Sequence, residues 1–359
     1  MVAHGSRARS AEARRGPARP GRGPIPTRNP AERILGVAFA YEGARALQTA
    51  VVLGVFDHLP GRGATAPEVA SACGAAPAAM AILLDALTGL GLLRKNRGRY
   101  TNGPDAARHL VSTAPLSLCD LIRFAANRYP EWARLPEVAL TGKPARPHDM
   151  YQHDAGETRA FIRGMHNLAV ARGDAMRLPG IVDLSRARTL VDLGGGPGTY
   201  AMHLCRRYRR LRATVIDFRG SLGVAREILA AHRMEDRVAL REGNIFTDPI
   251  GGPWDAALVS NIVHGEDFET NRRFMRKVFE ALAPGGLIVV KDHLMDRSLT
   301  KPAGGALFAL TMLMYTPGRC YGTHEIRGWL EEAGFRGAVK RRVPGTTSVA
   351  VLIARRGQA

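Results

Sequence analysis

At 359 residues and 45% hydrophobic content, the chain has room for two or three domains with a sizeable core and is too apolar to be disordered throughout. Lys and Arg outnumber Asp and Glu by 51 to 32, a net charge of +19, so binding to a polyanion has to be weighed. Cys73, Cys119, Cys205 and Cys320 lack the spacing of a zinc site or a disulfide framework, which predicts a cytoplasmic setting and no metal, and no apolar run reaches the roughly 20 residues of a membrane span.

Residues 1–30 carry seven arginines against Glu12 and are dense in Gly and Pro, the composition of a disordered basic tail. Residues 31–112 read as three helices and a small hairpin. Ala44, Leu47, Val51, Val55 and Leu59 recur at helical spacing, Thr65-Ala66-Pro67-Glu68 announces a helix start, and Pro77 opens a helix carrying Met80, Leu83, Leu84, Leu87 and Leu90. Leu92-Leu93-Arg94 and Gly98-Arg99-Tyr100 then form the two strands of a wing, completing a winged helix. Residues 113–180 are mostly helical, broken at Pro130, Pro136, Pro144 and Pro147, with Phe161, Met165 and Leu168 in one stripe.

From 181 to 359 strand and helix alternate. Runs at 189–193, 213–216, 237–240, 256–259 and 287–290 are short and apolar, as in a parallel, doubly wound sheet. Strands at 337–343 and 347–354 are separated only by Pro344-Gly345-Thr346, which forces an antiparallel hairpin because a parallel crossover needs about a dozen residues.

Val191-Asp192-Leu193-Gly194-Gly195-Gly196-Pro197-Gly198 ends the first strand of this sheet and opens a helix, the turn where open sheets bind nucleotides. Gly196 to Ala201 also fits a dinucleotide fingerprint, and Asp217 at the end of the second strand suits a ribose in either case. Asp192 separates the two readings. A carboxylate two residues before Gly194 would repel a pyrophosphate but suits the amino group of S-adenosylmethionine, and the C-terminal hairpin points the same way. Asn244 and Ile245, beyond the third strand, are placed to meet the edge and face of an adenine.

Together these motifs resemble the small-molecule O-methyltransferases of the plant caffeate and bacterial polyketide type, including the hydroxyneurosporene enzymes. The resemblance runs from about Ala31 to Ala354 and rests on the loop at 192–198, Val263-His264, Ala283-Pro284-Gly285-Gly286 and Glu331-Glu332-Ala333-Gly334-Phe335. It implies an α/β fold with a Rossmann-like methyltransferase sheet and antiparallel C-terminal hairpin, preceded by a helical winged-helix dimerisation domain. It implies S-adenosyl-L-methionine as cofactor, a hydroxylated small molecule as substrate, and a homodimer. His264 becomes the candidate general base, oriented by Asp292. Phe218 and Ser260 join Asp192, Gly194, Gly196, Asp217, Asn244 and Ile245 around the cofactor; Phe161, Met165, Met312 and Tyr315 fall on the substrate side. The family's second acidic partner falls on Cys320 or Tyr321, neither of which is a carboxylate, and Glu325 lies further along. Nitrogen and carbon acceptors, and relatives that no longer methylate, occur on the same scaffold.

Two other classes compete. A winged-helix regulator would read DNA with the helix at 77–90, but that helix has no Lys or Arg and contains Asp85, so no specific nucleic acid is expected. An NAD(P)-dependent oxidoreductase would need a hydride-handling constellation, and no Tyr-x-x-x-Lys pair supplies one.

Overall fold

The computed structural model describes residues 29–146, 148–149 and 151–357, so the basic tail lies outside the described residues except for its last two positions. Helices Pro30–Ala38, Ala40–Val52, Ala66–Cys73 and Pro77–Gly89 surround a core that includes Val51, Phe56, Val69, Leu84 and Leu87. The single stripe expected from Ala44 to Leu59 is divided. Its helix ends at Val52, Gly54 turns the chain with φ +73°, and Val55 and Leu59 reach the core from a separate 3-10 turn and its flank. The helix start at Thr65 forms as its sequence announces: the Thr65 hydroxyl accepts from the Glu68 N–H, and the Glu68 carboxylate accepts from the Thr65 N–H. Strands β1 (Ala64–Thr65), β2 (Leu93–Asn96) and β3 (Arg99–Asn102) make the antiparallel wing in the order β1-β3-β2. Ile34, Val37, Phe39 and Ile82 stay exposed, leaving this domain with apolar surface that its own chain does not cover.

The connecting segment is helical, with Cys119–Asn127, Leu135–Thr141 and Ala155–Ala171 as its longer pieces. Ala155–Ala171 packs on Cys119–Asn127 and on helix Arg219–Ala231 of the sheet domain, so it bridges cap and sheet.

The large sheet contains β4 (Thr189–Leu193), β5 (Arg212–Asp217), β6 (Val238–Glu242), β7 (Trp254–Ser260), β8 (Leu282–Asp292), β9 (Phe335–Arg342) and β10 (Ala350–Arg356). Their order is β6-β5-β4-β7-β8-β10-β9, parallel except that β10 runs antiparallel to both its neighbours. Alternate residues feed two apolar layers: Val191, Leu193, Ile288 and Val290 face one, Leu190, Val215, Leu258 and Val289 the other. The chain leaves β4 outward to β6 and returns to β7 on the other side of β4, which opens a crevice at the carboxyl ends of β4 and β7.

One buried ion pair ties cap to sheet. Lys291 Nζ of β8 lies 3.1 Å from Asp174 Oδ2 with both side chains 2% exposed, and Tyr200 donates its hydroxyl to the same oxygen at 2.8 Å. Burial pulls the Lys291 ammonium below its ordinary value, and Asp174 acts against that pull. Removing one partner strands the other charge in an apolar layer. We therefore expect Asp174→Ala to lower stability by roughly 3–5 kcal/mol in urea denaturation, with less loss above neutral pH, where Lys291 can shed its proton.

Candidate active site

The parallel register brings Asp217, Asp192, Ser260 and Asp292 to one edge, from the ends of the adjacent strands β5, β4, β7 and β8. The glycine loop follows β4 and folds back over the Asp192 side chain. A Cβ on Gly195 would fall 2.5 Å from the Asp192 carboxyl carbon, so only glycine lets the loop close there. Gly194 N–H donates to the Ile216 carbonyl at 2.8 Å, and Gly196 N–H donates to Asp217 Oδ2 at 2.8 Å. Phe218 N–H donates to Asp217 Oδ1 at 2.7 Å, so the Asp217 carboxylate is held from two sides. Burial raises the Asp217 carboxyl, and those two N–H groups offset part of the rise.

Asp192 is the anomaly. It is fully buried, no side chain among the described residues bonds its carboxyl oxygens, and burial with the nearby Asp217 charge, opposed only in part by the Ala201 backbone N–H, pushes its pKa up to about 7. A buried, unpaired carboxylate under a glycine loop fits a ligand bearing a cationic nitrogen.

Beyond β6, Ile245 is buried and its Cδ1 would lie 3.4 Å from a Cβ on Gly194, so it borders the loop. Asn244 is half-buried, and its side-chain carbonyl accepts from Phe246 N–H at 2.9 Å. That turn occupies the Asn244 side-chain carbonyl, a restriction the sequence did not reveal. Ser260 is buried at the end of β7, its hydroxyl without a partner among the described residues. Over the loop, Ile162 of helix Ala155–Ala171 lies 3.6 Å from the position of a Gly196 Cβ, and His166 Nδ1 meets Thr199 Oγ1 at 2.8 Å.

His264 sits on a 3-10 turn, Val263–Gly265, just after β7. Its Nδ1 lies 2.7 Å from Asp292 Oδ1 at the end of β8, with side chains 12% and 2% exposed, so Nε2 is the nitrogen left for a substrate. Burial would raise the Asp292 carboxyl, but His264 and, to a smaller extent, His293 together hold the carboxyl below its ordinary range.

The turn is clamped on three sides. Asn271 Nδ2 donates to the Val263, Glu266 and Asp267 carbonyls at 2.8, 3.0 and 3.1 Å, and Tyr321 donates its hydroxyl to the Glu266 carbonyl at 2.7 Å. A Cβ on Gly318 would fall 2.1 Å from the His264 carbonyl oxygen, so the late Pro-Gly loop rests directly on this backbone. Tyr321 is therefore a support for the turn. Cys320 is the residue that feels Asp292: burial first, then the Asp292 charge, push its thiol up to about 12, so it stays neutral. Glu325 is engaged by Arg319 at 2.6 Å and by the Gly322 N–H at 2.7 Å.

The four substrate-side residues are not gathered around one point. Phe161 stacks in an aromatic cluster with Phe124 and Tyr151, at 5.3 and 4.6 Å between centroids, and packs on Ile162, Val224 and Ile228. Met165 is half-buried one turn further on. Tyr315 joins a small core with Val138, Ala145 and Met314 beneath the Arg128 guanidinium, 3.2 Å from its ring. Met312 is buried on helix Ala303–Tyr315, one turn after Phe308, whose ring stands edge-on to His264 at 5.0 Å. Phe308 was not singled out in the sequence; its position four residues before Met312 was the available signal.

An Asp whose folded pKa exceeds its unfolded 3.8 binds more protons folded than unfolded, so the apoprotein should lose stability as pH rises from about 4 through 7. Three units correspond to about 4 kcal/mol as an upper bound. In denaturation of ligand-free protein, Asp192→Asn should remove most of this slope and be more stable than the parent chain at pH 8.

Comparison with known proteins agrees with this geometry. Residues 133–336 match the O-methyltransferase domain, and residues 36–112 match the O-methyltransferase dimerisation domain. The chain is 34% identical to the 3-hydroxy-5-methyl-1-naphthoate 3-O-methyltransferase of Streptomyces sahachiroi, over 80% of this chain and 84% of that protein. It is 33% identical to the tetracenomycin polyketide synthesis 8-O-methyl transferase of Streptomyces glaucescens, over 89% and 95%. The fold matches that of human N-acetylserotonin methyltransferase, solved in complex with S-adenosylmethionine, with a TM-score of 0.84 and 24% identity over 93% of this chain and 100% of that one. With its catalytic and dimerisation regions both matched, the chain belongs to the S-adenosylmethionine-dependent O-methyltransferases.

Proposed function

We propose that this enzyme methylates a phenolic or enolic hydroxyl of an aromatic, polyketide-like molecule, with His264 as general base. The observation that carries the reading is the buried His264–Asp292 contact of 2.7 Å beside the glycine loop, with Nε2 free to meet an acceptor. The hydroxylated polycyclic chemistry named for the two Streptomyces relatives supports the substrate class. When bound, S-adenosylmethionine supplies an electrophilic methyl group on a sulfonium centre. The unpaired Asp192 carboxylate takes the amino group of its methionine tail, Asp217 and Phe218 hold the ribose end, and Asn244, Ile245 and Ser260 meet the adenine side, with Gly194 and Gly196 allowing close approach of the loop.

His264 works against an unfavourable proton balance. A free phenol and a free imidazole differ by about 3.5 pK units, so complete transfer before methylation would cost roughly 5 kcal/mol. Proton removal at Nε2 therefore accompanies attack on the methyl group, and Asp292 stabilises the imidazolium through Nδ1. Orientation contributes the larger part, because the clamped turn and the cap helix carrying Phe161 and Met165 fix base and acceptor before the reaction begins. Phe161, Met165, Met312 and Tyr315 serve the acceptor side, the last through the cap core it stabilises.

Two copies act together through the winged-helix domain, whose exposed Ile34, Val37 and Phe39 supply an apolar contact. All four cysteines are free thiols, in keeping with a cytoplasmic enzyme.

Incubation with S-adenosylmethionine and a panel of hydroxylated aromatics, read by mass spectrometry, tests the reading: gain of one methyl group supports it, and no product from any member opposes it. His264→Ala should lower kcat by about 10²–10⁴-fold while leaving S-adenosylhomocysteine affinity unchanged in calorimetry. Asp217→Ala should weaken S-adenosylhomocysteine about 10–100-fold, the loss of hydrogen bonds to a charged group.

A further inference from the structure

Several surface arginines of this chain are paired with acids. Arg159 and Arg163 meet Glu227 at 2.8 and 2.9 Å, Arg272 and Arg276 meet Glu332 at 2.7 and 3.3 Å, and Arg146 meets Glu157 at 2.8 Å. At the amino edge of the large sheet the pattern changes. Arg188 before β4, Arg209 and Arg210 on the turn before β5, Arg212 at the start of β5 and Arg237 before β6 line one cleft of about 500 Å³. Among the described residues none of the five forms an ion pair, and the guanidiniums of Arg188, Arg209 and Arg210 form no hydrogen bond.

The sheet and the turn hold these side chains in place. Arg212 N–H donates to the Arg188 carbonyl at 2.8 Å and Ala213 N–H to the Arg237 carbonyl at 3.0 Å, so three of the guanidiniums start from neighbouring strands about 4.8 Å apart. Arg237 Nη2 donates to the carbonyls of Cys205, Tyr208 and Leu211 at 3.1, 3.1 and 2.6 Å, which pins the turn bearing Arg209 and Arg210 on both sides. Arg212 Nη1 donates to the Asp236 carbonyl. Asp255, at the start of β7, accepts from the Arg188 and Thr189 N–H groups at 2.7 and 3.0 Å and from no guanidinium. Like charges are thus gathered around one cleft without a counter-ion, and a bound anion relieves their repulsion.

We propose that this cleft is a second ligand site, one that binds a short phosphate chain of pyrophosphate to tripolyphosphate size. Guanidinium forks match phosphate oxygens in pairs, and a phosphate chain offers several charges in a compact run. The five lining residues include no ring on which a nucleobase could stack, so the chain itself is recognised and an attached nucleoside adds nothing. An adjoining cleft of about 270 Å³ shares Arg209 and Arg210 but adds Asp183, whose carboxylate repels phosphate and limits the length of the ligand at that end. A strand of five residues, about 17 Å, separates this site from the aspartates at the other edge, so the two fill independently.

Calorimetry of the full chain at low salt should show tripolyphosphate binding at one site per chain, with ATP no tighter and the affinity falling as salt is raised. Arg209→Gln combined with Arg210→Gln should weaken tripolyphosphate about tenfold or more, the worth of one charge-assisted hydrogen bond. The same variant should keep its affinity for S-adenosylhomocysteine, which also reports that it is folded. Arg272→Gln combined with Arg276→Gln removes equal charge at the Glu332 pair and should bind tripolyphosphate as the parent chain does. Arg188→Gln, at a guanidinium with no bond to lose, should weaken tripolyphosphate on its own. The proposal is overturned if tripolyphosphate does not bind, if ATP binds more tightly, if the Arg209 and Arg210 changes leave binding intact, or if both double variants weaken it equally. It is also overturned if a short DNA duplex binds through these arginines more tightly than tripolyphosphate, which would make the edge an open nucleic-acid surface.

Discussion

The parallel register of β5, β4, β7 and β8 sets most of what this protein can do. Because Asp192 pairs with Val215 and Leu258 while Val259 pairs with Val290, the four strands end nearly level and their last polar residues converge. Three of those residues are aspartates at the mouth of an apolar sheet, and water is largely excluded from Asp192 and Asp292. Each carboxylate is handled differently. Asp217 is capped by two backbone N–H groups and Asp292 is paired with His264, whereas Asp192 has no side-chain partner among the described residues. Carboxylates are thus concentrated at this edge and only partly neutralised, an environment that suits a cationic ligand.

The second requirement is rigidity around His264. A 3-10 turn of three residues has little stability of its own, and here neighbours from distant parts of the chain hold it. Asn271 satisfies its carbonyls from the following helix, Tyr321 reaches it from the late loop, and Gly318 rests on its backbone. The cap adds a further contact, since His148 Nε2 lies 3.3 Å from Glu266 Oε1 and that hydrogen bond raises the His148 imidazole. The His264 turn is therefore held by the sheet, the late loop and the cap together.

These layers were unequally legible in the sequence. Strands such as Thr189–Leu193 and the antiparallel pairing around Pro344-Gly345-Thr346 could be read directly, because period and length are local properties, although the link between the two strands runs from 343 to 349 and is longer than the three residues expected. The glycine loop and Asp192 could be placed because strand ends lie at one edge in a doubly wound sheet, while His264 and Asp292 were singled out by resemblance to the family. What escaped were choices between neighbours. Whether Cys320 or Tyr321 faces Asp292 turns on one residue of loop geometry, and the hydroxyl that commits Tyr321 to the Glu266 carbonyl has no signature in sequence. The split of the Ala44–Leu59 stripe came from Gly54, whose positive φ interrupts the helix without disturbing the spacing of buried residues.

The strong positive charge acquires a meaning only with the sheet in place. Arg188, Arg209, Arg210, Arg212 and Arg237 line a cleft of about 500 Å³ at the amino edge, where β4, β5 and β6 begin. The aspartates occupy the opposite edge. A strand of five residues spans about 17 Å, beyond the roughly 8–10 Å over which exposed charges act at physiological ionic strength. Arginines at the amino edge therefore do not cancel the field at the crevice mouth, and a chain of net charge +19 can still present a negative site to a sulfonium. Net charge alone pointed toward polyanions; the topology sets this arginine cluster and the three aspartates at opposite ends of the strands.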